Sequence, residues 1–171
     1  MAIEIERKFL ITDAGVLAGR EGVSIEQGYL PVEDPMSVRI RILETAGDAR
    51  ALLTMKKGQS ARRRLEFEYA IPVADARVLL EEACGAARIR KTRYRITWAG
   101  RDWDLDRFED ANAPLCLAEV ELDAEDDRVT LPPWVGRDVT DDVRLLNSRL
   151  CRRPLAQWPD EERHALLGDL S

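Results

Sequence analysis

From Ile3 to Leu122 apolar and polar residues alternate with a period of two, in run after run. That period predicts β-strands with one apolar and one polar face. The opening run sets Glu4, Glu6 and Lys8 against Ile3, Ile5 and Phe9. In Ser24–Leu30, Ile25, Gln27 and Tyr29 share a face; in Ser37–Leu43, Arg39 and Arg41 oppose Val38, Ile40 and Ile42. Gly47-Asp48 predicts a hairpin turn into Arg50–Lys57, where Thr54 and Lys56 lie together. Arg62–Ile71 places Arg62, Arg64, Glu66 and Glu68 on one side and Leu65, Phe67, Tyr69 and Ile71 on the other. A basic run carries Lys91, Arg93 and Arg95, and Ala99-Gly100 turns it into Asp102–Phe108, with Asp102, Asp104 and Asp106 on one face. Leu117–Leu122 then repeats the opening pattern, with Glu119 and Glu121 opposite Ala118, Val120 and Leu122. Eight strands are predicted.

Helical spacing appears between and after them. Thr12 or Asp13 caps a short helix through Arg20, Asp75–Cys84 forms a second that Gly85 stops, and Thr140 caps a third through about Leu150. Pro159 opens a last helix that ends at Gly168. The expectation is one domain over residues 1–171 in an all-β-dominated α+β class, with strands at about 2–123 and C-terminal helices at about 140–168. Eight antiparallel strands can close and remove both sheet edges. Helices packed outside would cover the apolar face and leave the charged face lining a wet tunnel. An open sheet, or a barrel with its charges solvated, is also compatible with alternation alone.

Composition narrows the partners. With 171 residues, a formal charge of −6 and a pI near 5.0, the chain lacks the net basic surface that nucleic acid and membranes select. Arg62-Arg63-Arg64 is interleaved with glutamates and does not change this. No apolar run reaches the roughly 20 residues needed to span a bilayer, and the acidic, strand-like start is not a signal peptide. Cys84, Cys116 and Cys151 show no metal-ligand spacing and fit a reducing compartment, so a cytoplasmic location is expected. His164 reads as a surface residue, and Trp98, Trp103, Trp134 and Trp158 as packing residues. The assembly is not fixed by the sequence, and a homodimer is one option.

A tunnel lined this way mixes acids (Glu4, Glu6, Glu66, Glu68, Asp104, Asp106, Glu119, Glu121) with bases (Lys8, Arg39, Arg41, Lys56, Arg62, Arg64, Lys91, Arg93, Arg95). Carboxylate oxygens suit hard cations such as Mg²⁺ or Mn²⁺, while guanidinium and ammonium groups suit phosphate oxygens. A ligand carrying both signs, a metal-bound polyphosphate, satisfies both.

The same residues resemble the CYTH, or triphosphate tunnel metalloenzyme, family. Glu4-x-Glu6-x-Lys8 resembles its N-terminal signature. In order follow Glu26–Leu30, Val38–Arg41, Thr54–Lys56, Arg64–Glu68, Lys91–Tyr94, Trp103–Phe108, Ala118–Leu122 and the Val139–Leu150 tail. The resemblance implies an eight-stranded antiparallel β-barrel tunnel with a charged interior, a divalent metal and a small-molecule triphosphate substrate. It implies metal ligands at Glu4, Glu6, Glu66, Glu68, Glu119 and Glu121, with the acidic lining position Asp106 grouped with them. It implies phosphate contacts at Lys8, Arg39, Arg41, Lys56, Lys91 and Arg93. Lys8, Glu6 and Glu68 stand as candidate catalytic groups, with no general base assigned among them. The implied activity is hydrolysis of inorganic tripolyphosphate to pyrophosphate and phosphate. Alternatives are a nucleoside- or thiamine-triphosphate phosphatase, a class IV-type adenylate cyclase and a non-catalytic polyphosphate-binding module. The tail departs from the family, with Leu145-Leu146-Asn147 where tyrosine before serine-asparagine is common.

Overall fold

The alternating runs become strands of one antiparallel sheet. The computed structural model describes residues 2–58, 63–85 and 87–168, with the backbone alone for 2–4, 58, 63 and 64. The strands are β1 (Ala2–Ile11), β2 (Val23–Leu30), β3 (Met36–Thr45), β4 (Asp48–Gly58), β5 (Arg63–Ile71), β6 (Ile89–Trp98), β7 (Arg101–Phe108), β8 (Cys116–Glu121) and β9 (Val135–Asp138). Their order is β5-β4-β3-β2-β6-β7-β8-β1-β9, and β5 also pairs with β1. The pairing therefore runs around eight strands and returns to β1. That seam holds four register pairs among the described residues, from Ala2 opposite Glu66 to Ile5 opposite Arg63. Beyond it β5 leaves β1, and Phe67 through Ala70 are exposed on both faces, so the barrel is split along this edge. The β6–β7 hairpin turns through Ala99 and Gly100, both at positive φ, the geometry that matches the twist of a two-residue turn.

The apolar face points outward, as the helices require. Ile40, Ile42 and Ala51 on β3 and β4 pack under Ala76 and Leu80, which belong to α1 (Val73–Val78) and a following π-helical turn (Leu79–Ala83). This segment lies so close to β2 that a Cβ at Gly28 would come within 2.8 Å of the Cys84 Cβ. Phe9, Trp103, Leu105, Ala118, Val120 and Trp134 form a second outer cluster. Trp103 is sealed there between Phe9 and Trp134, each ring centroid 5.7 Å away. Trp158 is also buried, whereas Trp98 is half exposed.

The third cluster is of a different kind. Leu10, Ile89, Phe108 and Leu117 sit at the strand period from Lys8, Lys91, Asp106 and Glu119, so they point inward. They pack with Leu145, Leu150, Leu155, Trp158 and Leu166 of the C-terminal segment. One end of the barrel thus turns apolar and is stoppered by α2 (Asn147–Arg152), the residues that follow and α3 (Asp160–Leu167). The stopper stops short of β3, where an Asp34–Arg149 ion pair of 3.3 Å ties α2 to the β2–β3 turn.

Four expectations change in detail. The sheet has a ninth strand, β9, which pairs with Phe9 and Ile11 of β1. The first expected helix is only a 3-10 turn, Ala14–Leu17, capped by Asp13 through the Gly15 N–H. The Asp75–Cys84 helix begins at Val73, directly after Pro72, and its last turn is π-helical. The helix expected from Thr140 is broken into a 3-10 turn at Val143–Leu145 and α2, because Leu146 is extended (ψ 136°). Thr140 is no cap: its Oγ1 accepts from the Lys8 backbone N–H at 3.0 Å. Among the described residues, no helix is long and apolar enough to cross a membrane.

Candidate functional site

Inside the barrel lies a cavity of about 850 Å³ lined from all eight ring strands and by α2. Glu6, Lys8, Arg39, Arg41, Lys56, Glu66, Glu68, Arg93, Arg95, Asp104, Glu119 and Glu121 all reach it. The charged faces of the alternating strands therefore converge on one space. The side chains of Glu4 and Arg64, and the whole of Arg62, lie outside the described residues.

The two walls differ. On β6, β7, β8 and β1 acids and bases interlock around Arg93. Its Nε and Nη2 donate to the two oxygens of Asp106, each at 2.7 Å, its Nη1 to Asp104 at 2.9 Å, and its Nη2 also to Glu119 at 3.0 Å. Arg95 donates twice more to Asp104, at 2.8 and 3.0 Å. Lys8 Nζ lies 3.0 Å from Glu119. On the opposite side, β3 and β4 carry Arg39, Arg41 and Lys56. Lys56 pairs with Glu66 at 2.6 Å. Arg39 Nη2 donates to Thr54 at 3.0 Å and to Glu68 at 3.4 Å, while its buried Nε has no partner. Arg41 Nε donates to Gln27 at 3.0 Å. Its terminal amino groups make no protein hydrogen bond among the described residues.

Two expected lining residues are placed differently. Lys91 and Asp106 lie behind the cavity surface, 0% and 1% exposed, with Nζ 2.5 Å from Oδ2. Lys91 Nζ also donates to Asn147 Oδ1 of α2 at 3.1 Å. Both Asp106 oxygens are occupied by Arg93 and Lys91, so this carboxylate organises the wall's bases and presents no oxygen to the cavity. Burial, with Arg93 and Arg41 nearby, lowers Lys91 to about 7 despite Asp106. Burial pushes the Asp106 and Glu119 carboxyls up, but their cation partners outweigh it and hold both below the usual carboxylate range, Glu119 well below.

Below the usual range the unfolded chain binds more protons at these two groups than the folded one does. Their stabilisation is complete only above the unfolded values, from about pH 5 to 6, and is lost as pH falls toward the lower folded values. Each tenfold difference in proton affinity between the two states is worth about 1.4 kcal/mol. Urea midpoints should fall steeply between about pH 4 and pH 2, and Glu119→Gln should flatten that slope. An identical slope in the variant would show that Glu119 ionises alike in both states.

Gln27, Thr54, Thr140 and Asn147 are polar partners not assigned from the sequence. The available signal for the first two was a polar residue at an inward position of a strand; Asn147 reaches the site only through the extended Leu146. At the mouth away from α2, Val23, Leu43 and Leu52 form an apolar patch beside Arg41 that the charge pattern did not suggest. No aromatic residue lines the cavity among the described residues.

For a divalent cation the donor chemistry fits: the available ligands are oxygens, and Glu6 lies directly opposite Glu121 in register. Like charges so placed repel, and a cation between them relieves it. Glu119, the neighbouring acid, is held by Lys8 and Arg93, and no group of three metal-binding side chains is preassembled among the described residues.

An antiparallel barrel whose cavity sets Arg39, Arg41 and Lys56 against a wall of interlocked acids and bases defines a protein with a charged tunnel. The CYTH domain matches residues 2–149, and the chain belongs to that family. It is 38% identical over 160 residues to an inorganic triphosphatase of Acetivibrio thermocellus, covering 94% of this chain and all of that protein. It is 35% identical over 152 residues to an inorganic triphosphatase of Nitrosomonas europaea, covering 86% of this chain and 95% of that one. The crystal structure of the inorganic triphosphatase NE1496 superposes with a TM-score of 0.62 at 35% identity, over 88% of this chain and 95% of the other.

Proposed function

We propose that the protein hydrolyses inorganic tripolyphosphate to pyrophosphate and phosphate with Mg²⁺ or Mn²⁺, in a reducing, cytoplasmic setting that suits its three free cysteines. The observation that carries the reading is the pair of facing walls in one cavity: Arg39, Arg41 and Lys56 on one, Glu6, Glu119 and Glu121 on the other. The relatives' shared description as inorganic triphosphatases supports it.

Arg39 and Arg41 are poised for phosphate oxygens, with donors that the protein leaves unspent. Lys56 and Lys8 each sit on a carboxylate at 3.0 Å or less and can turn to an arriving anion, exchanging one acid partner for another. Arg93, fixed by three carboxylates, keeps the acid wall from collapsing and points the same Glu119 into the cavity. Glu6 and Glu121, with Glu119, would hold a divalent ion, which would neutralise phosphate charge and make a water more acidic. Glu6 and Glu68 line the same cavity and remain the candidate catalytic carboxylates, with no general base assigned between them. Lys91 and Asp106 act by holding Arg93 and α2 in place.

The apolar patch of Val23, Leu43 and Leu52 favours a second reading, an esterified triphosphate whose organic group rests there. The two readings separate on charge. Tripolyphosphate brings more anionic oxygen to the basic wall than an ester does, and each charge-assisted contact is worth about 1.5–3 kcal/mol. With Mg²⁺, kcat/KM should be at least about tenfold higher for tripolyphosphate than for ATP, and a chelator should stop both. Comparable turnover of ATP or thiamine triphosphate, or release of cyclic AMP, would move the assignment to the second reading.

A further inference from the structure

We propose that Gln27 is a positioning residue of the anion site, an amide relay that sets which way Arg41 and Tyr29 point their protons; this rests on the tripolyphosphate reading above. Gln27 is fully buried on β2, directly opposite Arg41 in register. Its side chain makes two hydrogen bonds, both to groups on the basic side of the cavity. Arg41 Nε donates to Oε1 at 3.0 Å, and Nε2 donates to the Tyr29 hydroxyl oxygen at 3.0 Å.

The direction of both bonds is fixed by chemistry. A guanidinium has no acceptor, so the amide must turn its oxygen to Arg41 and its nitrogen to Tyr29. Two consequences follow. Arg41 spends its inner N–H on the protein, which sets the guanidinium plane and leaves the terminal pair for an anion. Tyr29 uses its oxygen as an acceptor, so its own proton is directed elsewhere. Gln27 thereby fixes the guanidinium that presents its terminal donors to the cavity while remaining out of contact with the ligand, since Arg41 lines the cavity and neither Gln27 nor Tyr29 does.

The substitution Gln27→Leu removes the acceptor that holds Arg41, and Gln27→Met does so with a side chain of similar length and no added charge. Binding of tripolyphosphate is measured by calorimetry in chelator, where no turnover occurs, for wild type, Q27L, Q27M, R41M and Q27M/R41M, with a thermal melt of each. The inference expects Q27M to weaken binding at least tenfold with a melting temperature near wild type, KM to rise more than kcat falls, and Q27M to add less than twofold in the R41M background. Q27M binding as wild type does overturns it, as does an equal loss in both backgrounds, since Gln27 then acts independently of Arg41. Should Q27L unfold, Q27M and the double variant still decide. Wild type that binds no tripolyphosphate is the separate outcome that sinks the functional reading, and this inference with it.

Discussion

Arg93→Met is expected to destabilise the protein by about 3–5 kcal/mol, the range for breaking a buried ion pair by removing one partner. It should also remove nearly all turnover. Arg93 satisfies three carboxylates at once, and its loss leaves them unequally paired. Asp104 keeps Arg95, and Glu119 keeps Lys8. Asp106 keeps only Lys91, at 2.5 Å. An almost fully buried carboxylate then loses both of its guanidinium hydrogen bonds with no water to replace them, which is the costly arrangement. Urea denaturation measures the loss. Arg93→Lys should recover little, because an ammonium lacks the planar fork that reaches Asp104 and Asp106 together. A single variant as stable as wild type would show that the acid wall does not depend on this hub.

Lys8→Met should act on turnover more than on folding. Lys8 is the cation of β1 that reaches the cavity, and it is bound to one acid, Glu119, at 3.0 Å. Glu119 retains Arg93 when Lys8 is gone, so no buried charge is stranded and the stability loss should be near ~1 kcal/mol. The missing contact to an anionic ligand is worth about 1.5–3 kcal/mol, so kcat/KM for tripolyphosphate should fall by about 10- to 150-fold. Steady-state kinetics beside a urea titration tests both halves. Turnover within twofold of wild type would remove Lys8 from the candidate catalytic and substrate-binding groups.

Much of this site could be read along the chain because a strand's side chains alternate. Glu6, Lys8, Arg39, Arg41, Lys56, Glu66, Glu68, Arg93, Glu119 and Glu121 each lie at the polar phase of an alternating run, and all reach the same cavity. Lys91 and Asp106 have the same phase yet lie behind the surface, because phase reports the face of a sheet and not the depth at which a side chain stops. Gln27 was visible as a polar residue sharing a face with Ile25 and Tyr29. Its partner Arg41 was not, since a register between β2 and β3 is set by the turn that joins them and by packing.

Local sequence therefore determined the strands, their apolar and polar faces, and the chemistry of a lining that mixes carboxylates with guanidiniums. Those properties depend on nearest neighbours and on a period of two, and they survive whatever the strands pair with. Tertiary structure decided the rest. The short β1–β5 seam, the added β9, the apolar stopper and the consumption of Asp106 by Arg93 and Lys91 all join residues far apart in the chain. In the stopper, Leu10 and Leu117 continue the polar phase of β1 and β8 and become inner core only because Leu145, Leu150 and Trp158 return to cover them. Contacts of that kind are chosen by the global balance of burial against chain entropy, which no single stretch of sequence carries.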